Sequence, residues 1–184
     1  MKIFNCPLEG LKIVELDVHG DERGFFVERF HAKRFAEAGL PYIFMQDNHS
    51  RSEPGTLRGL HYQYAPPQGK LVGVIRGTVW DVAVDIRPDS PTYGQHYGVE
   101  LSGKGGLLFW IPAGFAHGFC VLGDEPADML YKVTSVYNAV GEGGIKFDDP
   151  DLAMKWPVQE PIVSKRDQNQ QTFREYKESP PAWK

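Results

Sequence analysis

Residues 71–87 read LVGVIRGTVWDVAVDIR. The run predicts two strands, 71–76 and 78–87, that form a hairpin at Gly77. One face of the second strand is apolar: Trp80, Val82, Val84 and Ile86. The other face is charged: Asp81, Asp85 and Arg87. A period of two is typical of a strand with one buried and one exposed face, so the run indicates an antiparallel β-structure.

The same kind of signal continues on both sides of this run. Further strands are predicted at 11–18, 24–30, 57–63, 97–102, 107–111, 115–122 and 128–137. One short helix is predicted at 31–38, where Gly39 and then Pro41 end it. Weak helical signals occur in the last 20 residues. Many short strands at this spacing predict an antiparallel sandwich or barrel.

Length and composition favour one soluble domain that covers residues 1–184. The net charge of −4, with scattered lysines and arginines, argues against a nucleic-acid or membrane-surface binder. Two distant cysteines do not suggest a disulfide framework, which fits a reducing compartment. No apolar run approaches the length of a membrane span. A cytoplasmic location is therefore expected.

The segment 48–63, NHSRSEPGTLRGLHYQ, combines a polar, turn-rich first half with a strand-like second half. In the second half, Arg58 and His61 lie three positions apart. A guanidinium can bind an anion, and an imidazole can move a proton beside it. The alternative that these residues leave open is a buried, hydrogen-bonded histidine with an arginine that caps a loop.

Lys70 and Tyr131 are further candidates for a site. Lys70 stands at the entry to a predicted strand, where a cation is held rigidly, but a solvated lysine is the alternative. Tyr131 shares a predicted strand face with Met129, Val133 and Tyr137. It is either a core residue or a general acid in a polar pocket.

Residues 106–117 carry the spacing G-x5-P-x-G-x2-H, which resembles the second motif of the cupin superfamily of jelly-roll barrels. The first motif is matched only by its G-x5-H opening, which ends at His61. A metal-binding cupin then has a second histidine and a carboxylate, whereas this chain has Gln63 and no nearby acid. Two histidines alone hold a metal poorly. We therefore predict a mainly β, cupin-like jelly-roll barrel with a few short helices and no metal. In such a barrel His61 and His117 are free for acid–base chemistry or hydrogen bonding.

Eight motifs lie in order along the chain: RGFFVE (23–28), QDNHSRS (46–52), LRGLHYQ (57–63), QGKLV (68–72), GTVWDVAVDIR (77–87), IPAGFAHGF (111–119), YKVT (131–134) and KRD (165–167). Together they closely resemble the dTDP-4-dehydrorhamnose 3,5-epimerase family of the dTDP-L-rhamnose pathway. The resemblance implies a cofactor-independent isomerase that acts on a dTDP-linked 4-keto-6-deoxy sugar. It also implies a homodimer with an exchanged N-terminal strand.

The resemblance assigns roles to particular residues. His61 matches the base that removes protons from C3 and C5, and Asp167 matches its dyad partner. Tyr131 matches the acid on the opposite face of the sugar, and Lys70 matches the cation beside the C4 oxygen. Further positions match substrate contacts: Arg23, Glu28, Gln46, Asn48, Arg58, His117, Tyr137, Glu142 and Arg166. In a dimer, the first two of these come from the exchanged strand. Relatives often have lysine in place of Arg166.

The chemistry agrees with this assignment. Removal of a proton next to a ketone requires a base and a positive group that stabilises the enolate oxygen. No G-x-G-x-x-G or P-loop motif signals a nucleotide cofactor. Three alternatives remain open: an epimerase that inverts only C3 or only C5, a non-catalytic nucleotide-sugar binding module, and a metal-dependent oxygenase.

Overall fold

The computed structural model describes residues 1–184 and contains fourteen strands and three short helices. In chain order they are β1 (Lys2–Asn5), β2 (Lys12–Glu15), β3 (Val18–Asp21), β4 (Gly24–Val27), α1 (Ala32–Glu37), β5 (Gln46–Ser52), β6 (Thr56–Gln63), β7 (Lys70–Arg76), β8 (Thr78–Asp85), β9 (His96–Ser102), β10 (Leu107–Ile111), β11 (Phe115–Leu122), β12 (Ala127–Val133), β13 (Glu142–Gly144), β14 (Ile162–Val163), α2 (Lys165–Gln168) and α3 (Phe173–Glu178).

Two sheets form the body of the molecule. The first has the strand order β1-β2-β10-β7-β12-β5, and the second has the order β13-β6-β11-β8-β9, with β14 pairing on β6. A buried apolar cluster draws on both sheets and includes Val72 and Phe109 from the first and Ala83 and Phe119 from the second. Apart from the parallel β14–β6 pair, the strands pair antiparallel. The prediction of a mainly β, cupin-like barrel is confirmed.

The predicted hairpin at Gly77 is wrong. β7 pairs with β10 and β12 in the first sheet, whereas β8 pairs with β9 and β11 in the second. A single linking residue is shorter than the loops that join paired strands, and here it carries the chain from one sheet to the other. Gly77 has φ of +73°, and a Cβ atom would lie 2.6 Å from the carbonyl oxygen of Pro126. Glycine is therefore required at this crossing.

The prediction that β8 has one exposed face is also wrong. Its Val82 and Val84 pack with Phe173 and Tyr176 of α3, so the C-terminal segment covers the face that would otherwise meet solvent. The charged face points inward, and Asp81 and Asp85 are fully buried. Asp85 is satisfied locally: it accepts hydrogen bonds from Arg87 (2.8 Å to Nε), Ser90 (2.5 Å) and Thr92 (2.6 Å).

Several element boundaries differ from the sequence prediction. The polar run that begins at Asn48 is part of β5, an edge strand of the first sheet. An edge strand tolerates polar side chains because one side of it meets solvent. The strand predicted at 128–137 ends at Val133, so Tyr137 lies in a loop and does not share the face of Tyr131. The predicted first helix is confirmed as α1, and α2 and α3 lie in the last 20 residues. None of the helices could cross a membrane.

Candidate active site

His61 and Asp167 form a hydrogen-bonded pair although they are 106 residues apart in sequence. His61 projects from β6, and its Nε2 lies 2.6 Å from Oδ1 of Asp167 on α2. Ser164 caps α2 by accepting a hydrogen bond from the backbone N–H of Asp167 at 3.1 Å, which fixes the position of the acid. The pair therefore links β6 of the second sheet to the first turn of α2.

The environment of Asp167 favours its ionised form. Burial opposes ionisation, but hydrogen bonds from His61 and from the Gly59 backbone outweigh it, so the pKa of Asp167 is lowered. The carboxylate accepts the hydrogen of His61 Nε2, which leaves Nδ1 with a free lone pair. The imidazole is thus held in the tautomer that can accept a proton at Nδ1.

Lys70 lies at the start of β7 and reaches across to the second sheet. Its Nζ donates a hydrogen bond to the backbone carbonyl of His61 at 3.1 Å. Burial lowers the pKa of Lys70 to about 8, although Glu142 and Asp81 act in the opposite direction. At neutral pH the side chain is therefore a partly desolvated ammonium beside the His61 strand.

Tyr131 lies on β12 in the first sheet, on the wall opposite β6 and β11. Its hydroxyl lies 3.2 Å from Oγ of Ser50 on β5. Burial raises the pKa of the Tyr131 phenol, so it remains protonated at neutral pH. The ring of His117 meets it edge-on at 6.2 Å between centroids. The phenol and the His61 imidazole thus belong to facing walls of one barrel.

A second histidine–aspartate pair lies deeper in the barrel. Nε2 of His117 is 2.9 Å and 3.0 Å from the two carboxyl oxygens of Asp81, and both side chains are almost completely buried. His117 stands directly opposite His61 in the β6–β11 register. Burial lowers the pKa of His117 and raises that of Asp81, which disfavours the charged form of each.

Loss of the Asp81 carboxyl should destabilise the fold. Asp81→Ala leaves a buried imidazole nitrogen without a partner, which costs about 1–3 kcal/mol of unfolding free energy. Asp81→Asn keeps a hydrogen-bonding group of the same size at this position and should cost less. Urea unfolding of both variants measures the difference; equal losses would contradict a role for the hydrogen bond itself.

A network of polar side chains forms the rim beside these residues. The hydroxyl of Tyr137 donates to Oε2 of Glu142 at 3.0 Å, and Arg166 pairs with the same carboxylate. The backbone N–H of Tyr137 donates to Oε1 of Gln46 at 2.8 Å, and the Gln46 amide donates to Asn48 at 2.7 Å. The structure therefore brings together five of the residues to which the family resemblance gives a substrate contact.

Arg58 lies on the same strand as His61 and presents an exposed guanidinium. Its Nε donates to Oγ of Ser52 at 2.9 Å and its Nη2 to the carbonyl of Arg51 at 3.2 Å. No carboxylate forms an ion pair with it within the chain. The geometry leaves a positive charge available to an anionic ligand.

Arg23 and Glu28 are not brought to this cluster. Arg23 pairs with Asp21 within the β3–β4 hairpin, and Glu28 pairs with Arg34 of α1 at 2.8 Å. Neither makes a hydrogen bond or ion pair with the other candidate residues. Within a single chain, these two predicted substrate contacts are absent from the site.

Three supporting residues were not predicted from the sequence: Ser50, Asp81 and Ser164. A signal existed for Asp81, because an acid in the middle of an apolar strand is expected to have a specific partner. A signal also existed for Ser164, since its spacing to Asp167 is that of a helix N-cap. No local pattern pointed to Ser50, which reaches Tyr131 from the neighbouring strand.

No three His, Cys, Asp or Glu side chains lie close enough together to hold a metal ion. At the position of the second cupin histidine, Gln63 is buried and bonded to protein groups. The metal-free site stays a prediction.

Comparison with known proteins identifies the family. The model of the dTDP-4-dehydrorhamnose 3,5-epimerase family matches residues 5–175. The dTDP-4-dehydrorhamnose 3,5-epimerase of Shigella flexneri is 50% identical over 175 residues, which cover 94% of this chain and 96% of that protein.

Solved structures agree with this match. A 3,5-epimerase from Legionella pneumophila in complex with dTDP-4-keto-L-rhamnose is 51% identical, with a TM-score of 0.90 over 94% of this chain and 93% of that one. ChmJ, a 3′-monoepimerase from Streptomyces bikiniensis in complex with dTDP-quinovose, is 34% identical, with a TM-score of 0.88 over 94% and 88% of the two chains. The chain belongs to the dTDP-4-dehydrorhamnose 3,5-epimerase family, a family of isomerases.

Proposed function

We propose that this protein converts dTDP-4-dehydro-6-deoxy-D-glucose to dTDP-4-dehydro-L-rhamnose by inverting C3 and C5, the two carbons next to the C4 ketone. The observation that carries the proposal is the His61–Asp167 pair at 2.6 Å, with the Lys70 ammonium beside it. Membership of the 3,5-epimerase family supports the same substrate.

His61 acts as the base. Asp167 holds Nε2 as the hydrogen-bond donor, so Nδ1 takes the proton from C3 or C5. The imidazolium that forms is stabilised by the same carboxylate, as in a hydrolytic triad. Since C3 and C5 flank one ketone, the carbonyl acidifies both protons and one base can serve both steps.

Lys70 stabilises the electrons that deprotonation leaves behind. The C–H bonding pair moves into an enolate whose negative charge lies on the C4 oxygen. A preorganised ammonium in a site shielded from water stabilises such an oxygen far better than bulk water does. The contact of Lys70 with the His61 backbone places this charge near the base.

Tyr131 returns a proton to the opposite face of the sugar ring. Its phenol stays protonated because burial raises its pKa, and it stands on the wall opposite His61. Delivery of the proton to C3 or C5 reforms the C4 ketone and leaves the protonated carbon with inverted configuration. The imidazolium and the tyrosinate then exchange protons with solvent, which resets the site and balances the reaction.

The rim residues bind the nucleotide part of the substrate. Arg58 offers the diphosphate a guanidinium that has no carboxylate partner within the chain. Tyr137 presents a ring that is 52% exposed, which suits stacking on the thymine. Gln46, Asn48, Glu142 and Arg166 supply the remaining polar contacts at the rim, and His117 lines the sugar pocket deeper in the barrel.

A second copy of the chain completes the site. The β3–β4 hairpin exposes Phe25 by 60% and Phe26 by 70%, an apolar surface that a homodimer would cover. Exchange of this N-terminal segment carries Arg23 and Glu28 into the partner's site. The cytoplasmic location and the absence of nucleic-acid and membrane partners stay predictions from the sequence.

Activity should decrease in alkaline solution. The pKa of Lys70 is lowered to about 8, so the ammonium is present below that pH and is lost above it. We expect kcat/KM, which reports the pKa values of the free enzyme, to fall up to about tenfold per pH unit above this value. Profiles from pH 7 to 10 would check this, and Lys70→Arg should lack the decline because arginine stays protonated. A wild-type profile that stays flat to pH 10 would contradict the role of Lys70.

Identification of the product tests the proposed function. The purified protein is incubated with dTDP-4-dehydro-6-deoxy-D-glucose, and proton NMR follows the ring couplings at C3 and C5. Inversion of both carbons is the expected result. Inversion at C3 alone would instead show that the protein is a 3-epimerase. This alternative is tested because the chain is also similar to ChmJ, a 3′-monoepimerase. Binding without conversion would identify a binding module.

A further inference from the structure

Gln63 is a buried polar residue to which the mechanism above gives no role. It is 2% exposed and follows His61 by two positions on β6, so both side chains leave the same face of the strand. Its amide nitrogen and oxygen are both engaged by protein groups. Because it is buried and its amide is bonded to protein groups, among them the carbonyl of Pro66 at 3.0 Å, it does not contact a substrate directly.

The Gln63 amide holds the backbone on both sides of Tyr137. Its Nε2 donates to the carbonyl of Val136 at 3.1 Å, and its Oε1 accepts from the backbone N–H of Asn138 at 2.9 Å. The same Nε2 also lies 3.2 Å from Oγ of Ser135. A single buried side chain thus fixes both residues that flank Tyr137.

The loop around Tyr137 is held mainly by hydrogen bonds. Val136 is 53% exposed and Val140 is 85% exposed, so apolar burial contributes little to its order. A segment with few buried apolar contacts opens easily unless hydrogen bonds hold it. Gln63 supplies two of these bonds from a rigid strand, one on each side of Tyr137. The others join the Tyr137 N–H to Gln46 and the Asn138 amide to the carbonyl of Ala65. Glu142, the cross-strand partner of Gln63, accepts a hydrogen bond from the Tyr137 hydroxyl.

We propose that Gln63 is a positioning residue for nucleotide binding, which holds the Tyr137 ring at the rim where it meets the base of the dTDP-sugar. This inference rests on the proposed function, because it assigns the nucleobase contact to Tyr137. Gln63 connects that contact to the strand that carries the catalytic base, so the nucleotide and the reacting sugar keep a fixed spacing.

Calorimetric titration with dTDP tests the inference. Gln63→Met keeps the length of the side chain and removes its hydrogen bonds. If the ordered loop then persists in about a tenth of molecules, the Kd for dTDP rises about tenfold. The value of kcat at saturating substrate should stay within about threefold, because His61, Asp167 and Lys70 are unchanged. The matched control is Gln95→Met, since Gln95 is exposed and its side chain makes no hydrogen bond.

A double-mutant cycle separates positioning from general stability. If Gln63 acts through Tyr137, Gln63→Met should weaken dTDP binding no further in a Tyr137→Ala background. An unchanged Kd in Gln63→Met, or equal losses in both backgrounds, would overturn the inference. Should Gln63→Met fail to fold, the same cycle is run with Gln63→Asn, whose amide is one methylene shorter and is withdrawn from Val136 and Asn138. Wild-type protein that binds no dTDP would instead refute the proposed function.

Discussion

His61→Gln is expected to lower kcat about 10³-fold, which lies within the range that a general base contributes. The glutamine amide can still donate to Asp167, so the link between β6 and α2 is retained. It has no basic lone pair, however, and cannot take a proton from carbon. Because dTDP binding depends on the rim, its Kd should change by less than about threefold. Steady-state kinetics and calorimetry measure the two quantities.

The chain offers a matched control for this substitution. His49 forms a similar pair with Asp128, at 3.0 Å, and its side chain is 53% exposed. His49→Gln removes an imidazole from an equivalent pair outside the proposed mechanism and should leave kcat unchanged. If His61→Gln retained wild-type turnover, the assignment of the base would be wrong.

Lys70→Met is expected to lower kcat about 10²- to 10³-fold, the usual loss when one group that stabilises an oxyanion is removed. Methionine keeps most of the length and apolar volume of lysine, so the strand should remain packed. The effect should fall on kcat more than on KM, because the enolate charge develops only during the reaction. Steady-state kinetics with the dTDP-sugar substrate would measure the changes in kcat and KM separately.

Lys132→Met is the control for this second substitution. Lys132 is a strand lysine that pairs with Asp47 at 2.9 Å, outside the proposed mechanism. Its loss should change kcat by less than about twofold, as is usual for an exposed ion pair. A Lys70→Met variant with a raised KM and normal kcat would show that the lysine binds substrate without stabilising the enolate.

Local patterns predicted individual strands well and their pairing poorly. The strands at 107–111 and 115–122 have the predicted bounds, because glycine and proline residues delimit both apolar runs. The hairpin at Gly77 was wrong because its two strands belong to different sheets. The burial of both faces of β8 depends on α3, which lies almost a hundred residues later. Neither fact is encoded in the local sequence.

The same limit applies to the site. Sequence reasoning singled out His61, Lys70 and Tyr131, but only the family resemblance linked His61 to Asp167. The structure brings these four together through contacts between distant segments. Arg23 and Glu28 remain apart from them, since their proposed place is in the partner's site. In the proposed homodimer, that part of the site comes from a second chain, which one folded chain cannot supply.

Solvent deuterium incorporation tests the central claim most directly. The wild-type protein is incubated with dTDP-4-dehydro-6-deoxy-D-glucose in deuterated water, and mass and proton spectra locate the label. Because protons leave to His61 and return from groups that exchange with solvent, we predict deuterium at both C3 and C5, and incorporation about 10³-fold slower with His61→Gln. An inverted product that retains its original hydrogens at both carbons would contradict the account.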